Sequence, residues 1–269
     1  MNVPQPLARA PRVAMAGAAP SLGERVLAEE VAVALSYDGT TYAVMMASPS
    51  DLRDFALGFS LSEGIVASAS AIEEMEVVPR GDLGVEVRMR LAEVAGNRHL
   101  RRRRAMAGPV GCGLCGIESL AEATRPADPV RSGLRLWPAA LSAAIAALSA
   151  AQAMNREARA MHAAGFWRPD GGLVAVREDV GRHNALDKLA GALAQAGVDG
   201  ASGLVALTSR VSVEMVQKAA RIGAPVIAAV SAPTALAVRT AEACGITLVA
   251  VVRDDAFEVF THPARVIGA

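Results

Sequence analysis

Long hydrophobic runs, closely spaced histidines and a dense cysteine framework are all missing from this chain of 269 residues. Its longest apolar stretches are broken by Gly, Ser or charge well short of the roughly 20 residues that a membrane-spanning helix needs. The Pro- and Ala-rich start also has no signal-peptide core. The expectation is a soluble, cytoplasmic protein with no membrane partner. Three cysteines are too few, and odd in number, for a secreted disulfide framework, which leaves the thiols reduced and available for chemistry. Lysine is nearly absent, with Lys188 and Lys218 alone, so arginine carries almost all the positive charge. Basic and acidic residues balance at 27 each, which argues against a chain built mainly to coat nucleic acid or an anionic membrane. Neither a Walker lysine motif nor GxGxxG occurs, so a nucleotide ligand would have to be held by another arrangement.

What is present begins with a pair of thiols. Gly108-Pro109-Val110-Gly111-Cys112-Gly113-Leu114-Cys115-Gly116 holds so much glycine, with a proline, that it cannot sustain a helix or a central strand. An accessible turn carrying sulfur chemistry follows. Arg98 and the run Arg101, Arg102, Arg103 and Arg104 lie just upstream, with no acidic residue between Asn97 and Leu114. That local positive field, with the unhindered amides around Gly113 and Gly116, favours a thiolate. The same block is also what a solvated arginine-rich loop looks like.

The chain divides into two unlike halves. Slightly more than half of it is apolar (52%), enough for one large core or two smaller ones. Residues 1–22 read as a disordered tail without periodicity. Residues 23–136 read as an antiparallel α+β domain that carries the thiol loop near 108–116. In it, residues 31–35 and 41–46 form a hairpin turned at Asp38-Gly39. Ser50 caps a helix bearing Leu52, Phe55 and Phe59, which Gly64 ends, and residues 85–91 alternate as a half-exposed strand. Residues 137–269 read as a mostly parallel α/β domain. An alanine-rich helix runs from Pro138 to about Ala164, where Gly165 stops it. Short apolar runs at 173–176, 203–207, 226–230 and 246–252 are then strands separated by helices that end at Gly197, Gly223 and Gly245.

Ligand-bearing signals fall at the exits of those strands, where open α/β sheets build their crevices. The first exit, residues 177–188, contains Arg182, His183 and Asn184; the next contains Ser209, Arg210, Ser212 and Glu214; the third contains Ser231. Acid, base, imidazole and amide at such turns suit a heteroaromatic ligand, and helix N-terminal amides suit its phosphates. Asp179 and Asn184 would also serve as plain helix caps, and Ser and Thr are ordinary N-caps. Residues 251–256 lead into an edge hairpin that could close the pocket.

Residues 54–59 with 62–65, Cys112-Gly113-Leu114-Cys115-Gly116, residues 178–188, residues 212–219 and residues 230–234 occur in the order seen in the FdhD family, so that the chain resembles this family over nearly all of its length beyond the tail. The resemblance implies a two-domain cytoplasmic homodimer whose α/β half has a cytidine-deaminase-like fold. It further implies a sulfur carrier with sulfurtransferase-type activity through a cysteine persulfide. Such a protein takes sulfur from a cysteine desulfurase and passes it to the bis(molybdopterin guanine dinucleotide) form of the molybdenum cofactor, the client being formate dehydrogenase. By the same resemblance Cys112 holds the persulfide, and Val251, Val252, Arg253, Asp254, Asp255 and Ala256 line the cofactor site. Cys115 either forms a disulfide with Cys112 on release or tunes its neighbour.

Other readings of the CxxC remain. A zinc knuckle needs four ligands, and a zinc deaminase needs His or Cys followed at plus two by Glu, a triplet absent here. No intrinsic metal is expected. Thioredoxin-like activity needs the motif at a helix N-terminus after a strand. A passive molybdenum-cofactor chaperone is the remaining alternative.

Overall fold

Asp38 and Gly39 both sit at positive φ (49° and 79°), the pair of left-handed residues that a two-residue hairpin turn demands. They join β3 (Val31–Tyr37) to β4 (Thr40–Ala47). The structure, a computed structural model, describes residues 2–16, 19–92 and 129–268. Arg98, Arg101 to Arg104, Cys112 and Cys115 lie outside the described residues.

After β4 come α1 (Leu52–Ser62), β5 (Ile72–Pro79) and β6 (Val85–Leu91), and the small sheet has the order β4-β3-β6-β5. Val33, Leu35, Tyr37, Val85, Val87, Met89 and Leu91 point inward and bury Leu52, Phe55 and Phe59 of α1. This is the face that the two-residue alternation predicted. One pairing differs from the antiparallel expectation: β3 and β6 run parallel, because α1 and β5 intervene and return the chain alongside β3 in its own direction. The start of α1 differs too. Asp51 occupies the N-cap in a left-handed conformation (φ 50°) without a side-chain cap, one residue after Ser50.

Of residues 1–22, read as a tail, 7–16 and 19–22 are strand. β1 (Leu7–Ala16) and β2 (Ala19–Ala28) form an antiparallel ribbon in which Val13 faces Leu22 and Arg9 faces Val26. The abundant alanine hides the alternation. Pro11 and Pro20 do not break it, because every strand of a two-stranded ribbon is an edge and has a side that needs no donor.

The large sheet follows α2 (Pro138–Ala151) and α3 (Ala153–Ala158). The alanine-rich helical region thus ends at Ala158, with Arg159 left-handed (φ 56°), rather than near Ala164. Gly165 lies inside a strand, β7 (His162–Arg168), where a Cβ would come within 2.9 Å of Leu148 and 3.0 Å of Leu173. Close packing, not helix termination, explains that glycine. The remaining elements are β8 (Gly172–Asp179), α4 (Arg182–Gln195), β9 (Leu204–Leu207), α5 (Val213–Ile222), β10 (Val226–Ala229), α6 (Ala235–Cys244), β11 (Thr247–Arg253) and β12 (Ala256–Val259). Gly197, Gly223 and Gly245, all at positive φ, end the three helices as expected.

The order is β12-β11-β10-β9-β7-β8. Only β9, β10 and β11 pair in parallel, whereas β12, β7 and β8 join antiparallel. The sheet is therefore mixed around a parallel centre, not mostly parallel. Leu141, Ala144, Ile145 and Leu148 of α2 pack on one face, against Leu204, Ala206, Val226 and Val249. Leu186, Leu189, Met215, Val216 and Ala241 of α4 to α6 pack on the other, against Val205, Leu207, Ile227 and Leu248. Burial on both faces is why these strands read as unbroken apolar runs.

α1 joins the two sheets by lying on α4 with almost no gap. A Cβ on Gly58 would stand 1.7 Å from the Asp187 carbonyl oxygen, and one on Gly191 would stand 1.9 Å from that of Asp54. These reciprocal approaches mean that the helices touch backbone to backbone, running antiparallel.

Candidate functional site

β8 is antiparallel to β7, and β7 to β9, so β8 points the same way as β9, β10 and β11. The carboxyl ends of all four therefore share one edge, which is where open α/β sheets leave a crevice. The exits at 180–184, 208–212, 230–234 and 251–253 meet there, joined in part by backbone bonds from Val230 N to Leu207 O (3.0 Å) and from Thr234 N to Val211 O (2.9 Å). His162, which opens β7 opposite Asp179, lies on the same edge.

Much of the polarity of the first exit is spent on holding the molecule together. Asp179 is fully buried. Its Oδ2 accepts from Ser48 N (2.9 Å) and pairs with Lys188 Nζ (2.7 Å), and its Oδ1 accepts from Gly181 N (2.7 Å) and Asn184 Nδ2 (3.0 Å). Asn184 Nδ2 also donates to Met46 O (2.8 Å), so its amide nitrogen braces α4 against β4. Glu178 accepts from Met154 N and Asn155 N, the free amides in the first turn of α3. Asp187 is paired with Lys218 through both oxygens, at 2.6 and 2.7 Å. Burial pushes the Asp187 carboxyl up from its ordinary value, and Lys218 opposes that shift.

Arg182, His183, Arg210 and Glu214 are left to face the crevice. Arg182 Nε and His183 Nε2 are buried without a hydrogen-bond partner, and the ring nitrogen is 3.9 Å from Glu214 Oε2. That oxygen accepts from Ser212 Oγ at 2.5 Å. Burial, then Arg182 and Lys218, pushes His183 down to about 4, with Glu214 opposing and Arg210 adding to the shift. Burial and then Arg210 lower Arg182, and burial and then Arg182 lower His162. The result is a cluster in which half-buried Arg182 and exposed Arg210 set a positive field around a neutral His183, a field that suits an anion. The unpartnered Arg182 Nε–H, with the Arg210 guanidinium near it, fits an oxygen of a dinucleotide's diphosphate. Ser209 is buried, with Oγ bonded to Arg210 O (3.1 Å), while Ser231 is half-buried at the rim.

Val251, Val252, Arg253, Asp254, Asp255 and Ala256 form the end of β11 and its turn into β12. Val251 has φ 54°, rare for a β-branched residue, and the ladder shifts register between Ala250 and Arg253. Arg253 to Ala256 are exposed. Reasoning from sequence missed His162, because β7 was read as helix. It noted Glu214 and Ser212 without seeing that one binds the other beside His183. Among the described residues no cluster of three or more His, Cys, Asp or Glu could hold a metal, and no helix is long and apolar enough to cross a membrane.

The burial of neutral His183 has a measurable consequence. The unfolded ring protonates near pH 6.5 and the folded one only near 4, so this residue's contribution to stability is intact above about pH 6.5 and is lost as pH falls toward 4. His183→Gln should recover on the order of 2–3 kcal/mol at pH 4.5 relative to pH 7.5. Urea melts of both proteins at the two pH values check this, and the difference between them removes contributions from His162 and Asp187. Equal pH slopes would refute it.

A mixed α/β protein with three sheets among its described residues, and with Arg182, His183, Arg210 and Glu214 at the carboxyl edge of the six-stranded one, is the class that these elements define. The chain belongs to the FdhD/NarQ family, which it matches over residues 28–267. It is 55% identical over 260 residues to the sulfur carrier protein FdhD of Agrobacterium fabrum (strain C58 / ATCC 33970), covering 96% of each chain. It is 54% identical over 239 residues to the sulfur carrier protein FdhD of Cupriavidus necator, covering 89% of this chain and 83% of that one. The crystal structure of a Desulfotalea psychrophila protein described as a formate dehydrogenase accessory protein superimposes with a TM-score of 0.78 at 25% identity, covering 97% of this chain and 99% of that one.

Proposed function

We propose that this protein is a sulfur carrier for formate dehydrogenase, with Cys112 as the carrier thiol. The observation that carries the reading is 55% identity, over nearly the whole of both chains, to a protein named for that role. The Cys112 thiolate attacks the outer sulfur of a cysteine desulfurase persulfide; the S–S bond breaks, the desulfurase thiolate leaves, and Cys112 becomes the persulfide. Release as hydrosulfide is balanced if the Cys115 thiolate attacks Cys112 and the pair becomes a disulfide. The acceptor is the bis(molybdopterin guanine dinucleotide) cofactor, held as cargo in the crevice before it enters formate dehydrogenase. The protein works as a cytoplasmic homodimer, and its four- and six-stranded sheets correspond to two domains, the second resembling a deaminase-like fold.

Dimensions support this cargo. From β8 to β11 is four strand steps, about 19 Å, enough for two ring systems bridged by a diphosphate. Residues 92 and 129, which flank the thiol segment, lie away from the crevice. Leu91 N donates to Asp38 at the hairpin end of the small sheet, and Val130 N donates to Cys244 O at the amino edge of the large one. The chain from either root to Cys112 has a contour of roughly 60 Å, so covalent length allows the thiol to reach the crevice.

Intact-mass measurement after incubation with a cysteine desulfurase and cysteine tests the carrier role. The wild type should gain about 32 Da, one sulfur atom, and Cys112→Ser should gain nothing and leave formate dehydrogenase inactive. Normal loading or a fully active client with Cys112→Ser would remove the role of Cys112, and a wild type that gains no sulfur would favour a passive cofactor chaperone.

A further inference from the structure

The crevice cluster has more to it than positive charge. His183 lies in the first turn of α4, with its ring Nε2 3.9 Å from Glu214 in the first turn of α5. Arg182 faces it from α4, Glu214 and Lys218 from α5, and Arg210 from the loop that joins β9 to α5. Lys218 is neutralised by Asp187, and Glu214 already holds Ser212. That leaves two guanidiniums and one carboxylate, a net positive setting, around a ring whose Nε2 is buried and unpartnered.

We infer that docking of a diphosphate diester in this crevice is coupled to proton uptake: as its phosphate oxygens settle against Arg182 and Arg210, His183 accepts one proton from solvent and donates a hydrogen bond to the ligand through Nε2. The inference rests on the proposed crevice as the cofactor site, and deepens it by naming the group that senses the ligand's charge.

The argument is one of charge balance. Two ligand charges turn the local sum from positive to negative, and each opposite charge within about 4–6 Å shifts a titration by one to three units. His183 starts near 4, so it moves into the range where half the rings carry a proton at about pH 6–7. Neither guanidinium can do this, since arginine keeps its proton throughout. Glu214, 3.9 Å from the same Nε2, stabilises the imidazolium as a neighbouring negative charge and needs no proton of its own. A neutral ligand gives no such gain, because it leaves the imidazolium beside two cations. The unit thus discriminates by charge, and does so through a residue that the guanidiniums themselves hold neutral in the free protein.

The test is calorimetric titration of the full chain with P1,P2-di(guanosine-5′) diphosphate, whose two charges do not titrate between pH 5 and 8. Runs at pH 6 in two buffers of different ionisation enthalpy report protons taken up. With a bound midpoint of about 6.5, the wild type should take up about three quarters of a proton per ligand at pH 6 and bind about tenfold more tightly at pH 5.5 than at 7.5. His183→Gln should bind with no uptake and a flat pH profile. Binding without uptake by the wild type, or equal uptake by His183→Gln, overturns the inference and leaves the cofactor reading standing. No binding by the wild type sinks both. Should the variant fail to fold, the His183 ring-proton NMR titration in the wild type decides alone: its midpoint must rise on addition of the ligand, and an unmoved midpoint refutes the coupling.

Discussion

Gly58→Ala is expected to destabilise the protein by about 4 kcal/mol, although alanine is the better helix former. The two effects have opposite signs, so the measurement decides between them. Intrinsic propensity favours alanine in a helix interior by about 1 kcal/mol. Against this, the new Cβ would lie 1.7 Å from the Asp187 carbonyl oxygen and 2.7 Å from Gly191 N, and both are backbone atoms that no rotamer change can move away. Overpacking usually costs about 1–3 kcal/mol when side chains can yield. Here α1 and α4 must separate, which loosens the Arg177 ion pair with Asp54 and the bonds from Ser48 and Met46 to α4 and its N-terminal turn. Gly191→Ala meets Asp54 O at 1.9 Å and should behave alike. Gly171→Ala is the control, since nothing lies within 4 Å of its Cβ position, and it should stay within about 0.5 kcal/mol of the wild type. For a chain of this size the interface variants should melt roughly 10 °C lower. A wild-type melting temperature for Gly58→Ala would mean that the helices do not touch in this way.

This contact also marks the boundary of what sequence could reveal. The Asp38-Gly39 turn, the inward face of β6 and the glycine-ended helices α4 to α6 were legible, because each depends on residues adjacent in the chain. Gly58 and Gly191 carry no local signal of their role, since its reason lies in a partner more than a hundred residues away. Gly165 was misread for the same cause: a glycine after an alanine run is a stop signal locally, but Leu148 and Leu173 crowd it inside β7. The parallel pairing of β3 with β6 and the antiparallel insertion of β7 are likewise topological facts with no local pattern.

The site divides along the same line. Strand exits are a rule of architecture, so the positions of Arg182, His183 and Arg210 along the carboxyl edge followed from the strand assignments. Which polar residues of the first exit remain for a ligand could not follow. Glu178, Asp179, Asn184, Asp187 and Lys188 have the same chemistry as a binding site, and are consumed by α3, β4 and α5 instead. Density of polar residues located the region, and burial with hydrogen-bond accounting separated brace from pocket.

Lys188 carries the second large expectation. Its Nζ lies 2.7 Å from Asp179 Oδ2, 3.0 Å from Ser48 O and 3.4 Å from Ser50 Oγ, with neither ion-pair partner exposed to solvent. Lys188→Met keeps most of the volume but leaves Asp179 as a buried charge with only dipoles around it, at a cost of about 3–5 kcal/mol. Asp179→Ala strands the ammonium and also frees the amides of Ser48 and Gly181, so its cost should be at least as large. The double variant should cost clearly less than the two singles together, by more than about 2 kcal/mol, because neither charge then lacks its partner. Denaturant melts of the four proteins close this cycle. Because the pair ties the start of α4 to the end of β4, its loss should also shift Arg182 and His183, one turn away, and so weaken binding of a diphosphate ligand beyond what unfolding explains. Additive single costs, or crevice binding untouched in the folded fraction of Lys188→Met, would show that the brace and the pocket are independent.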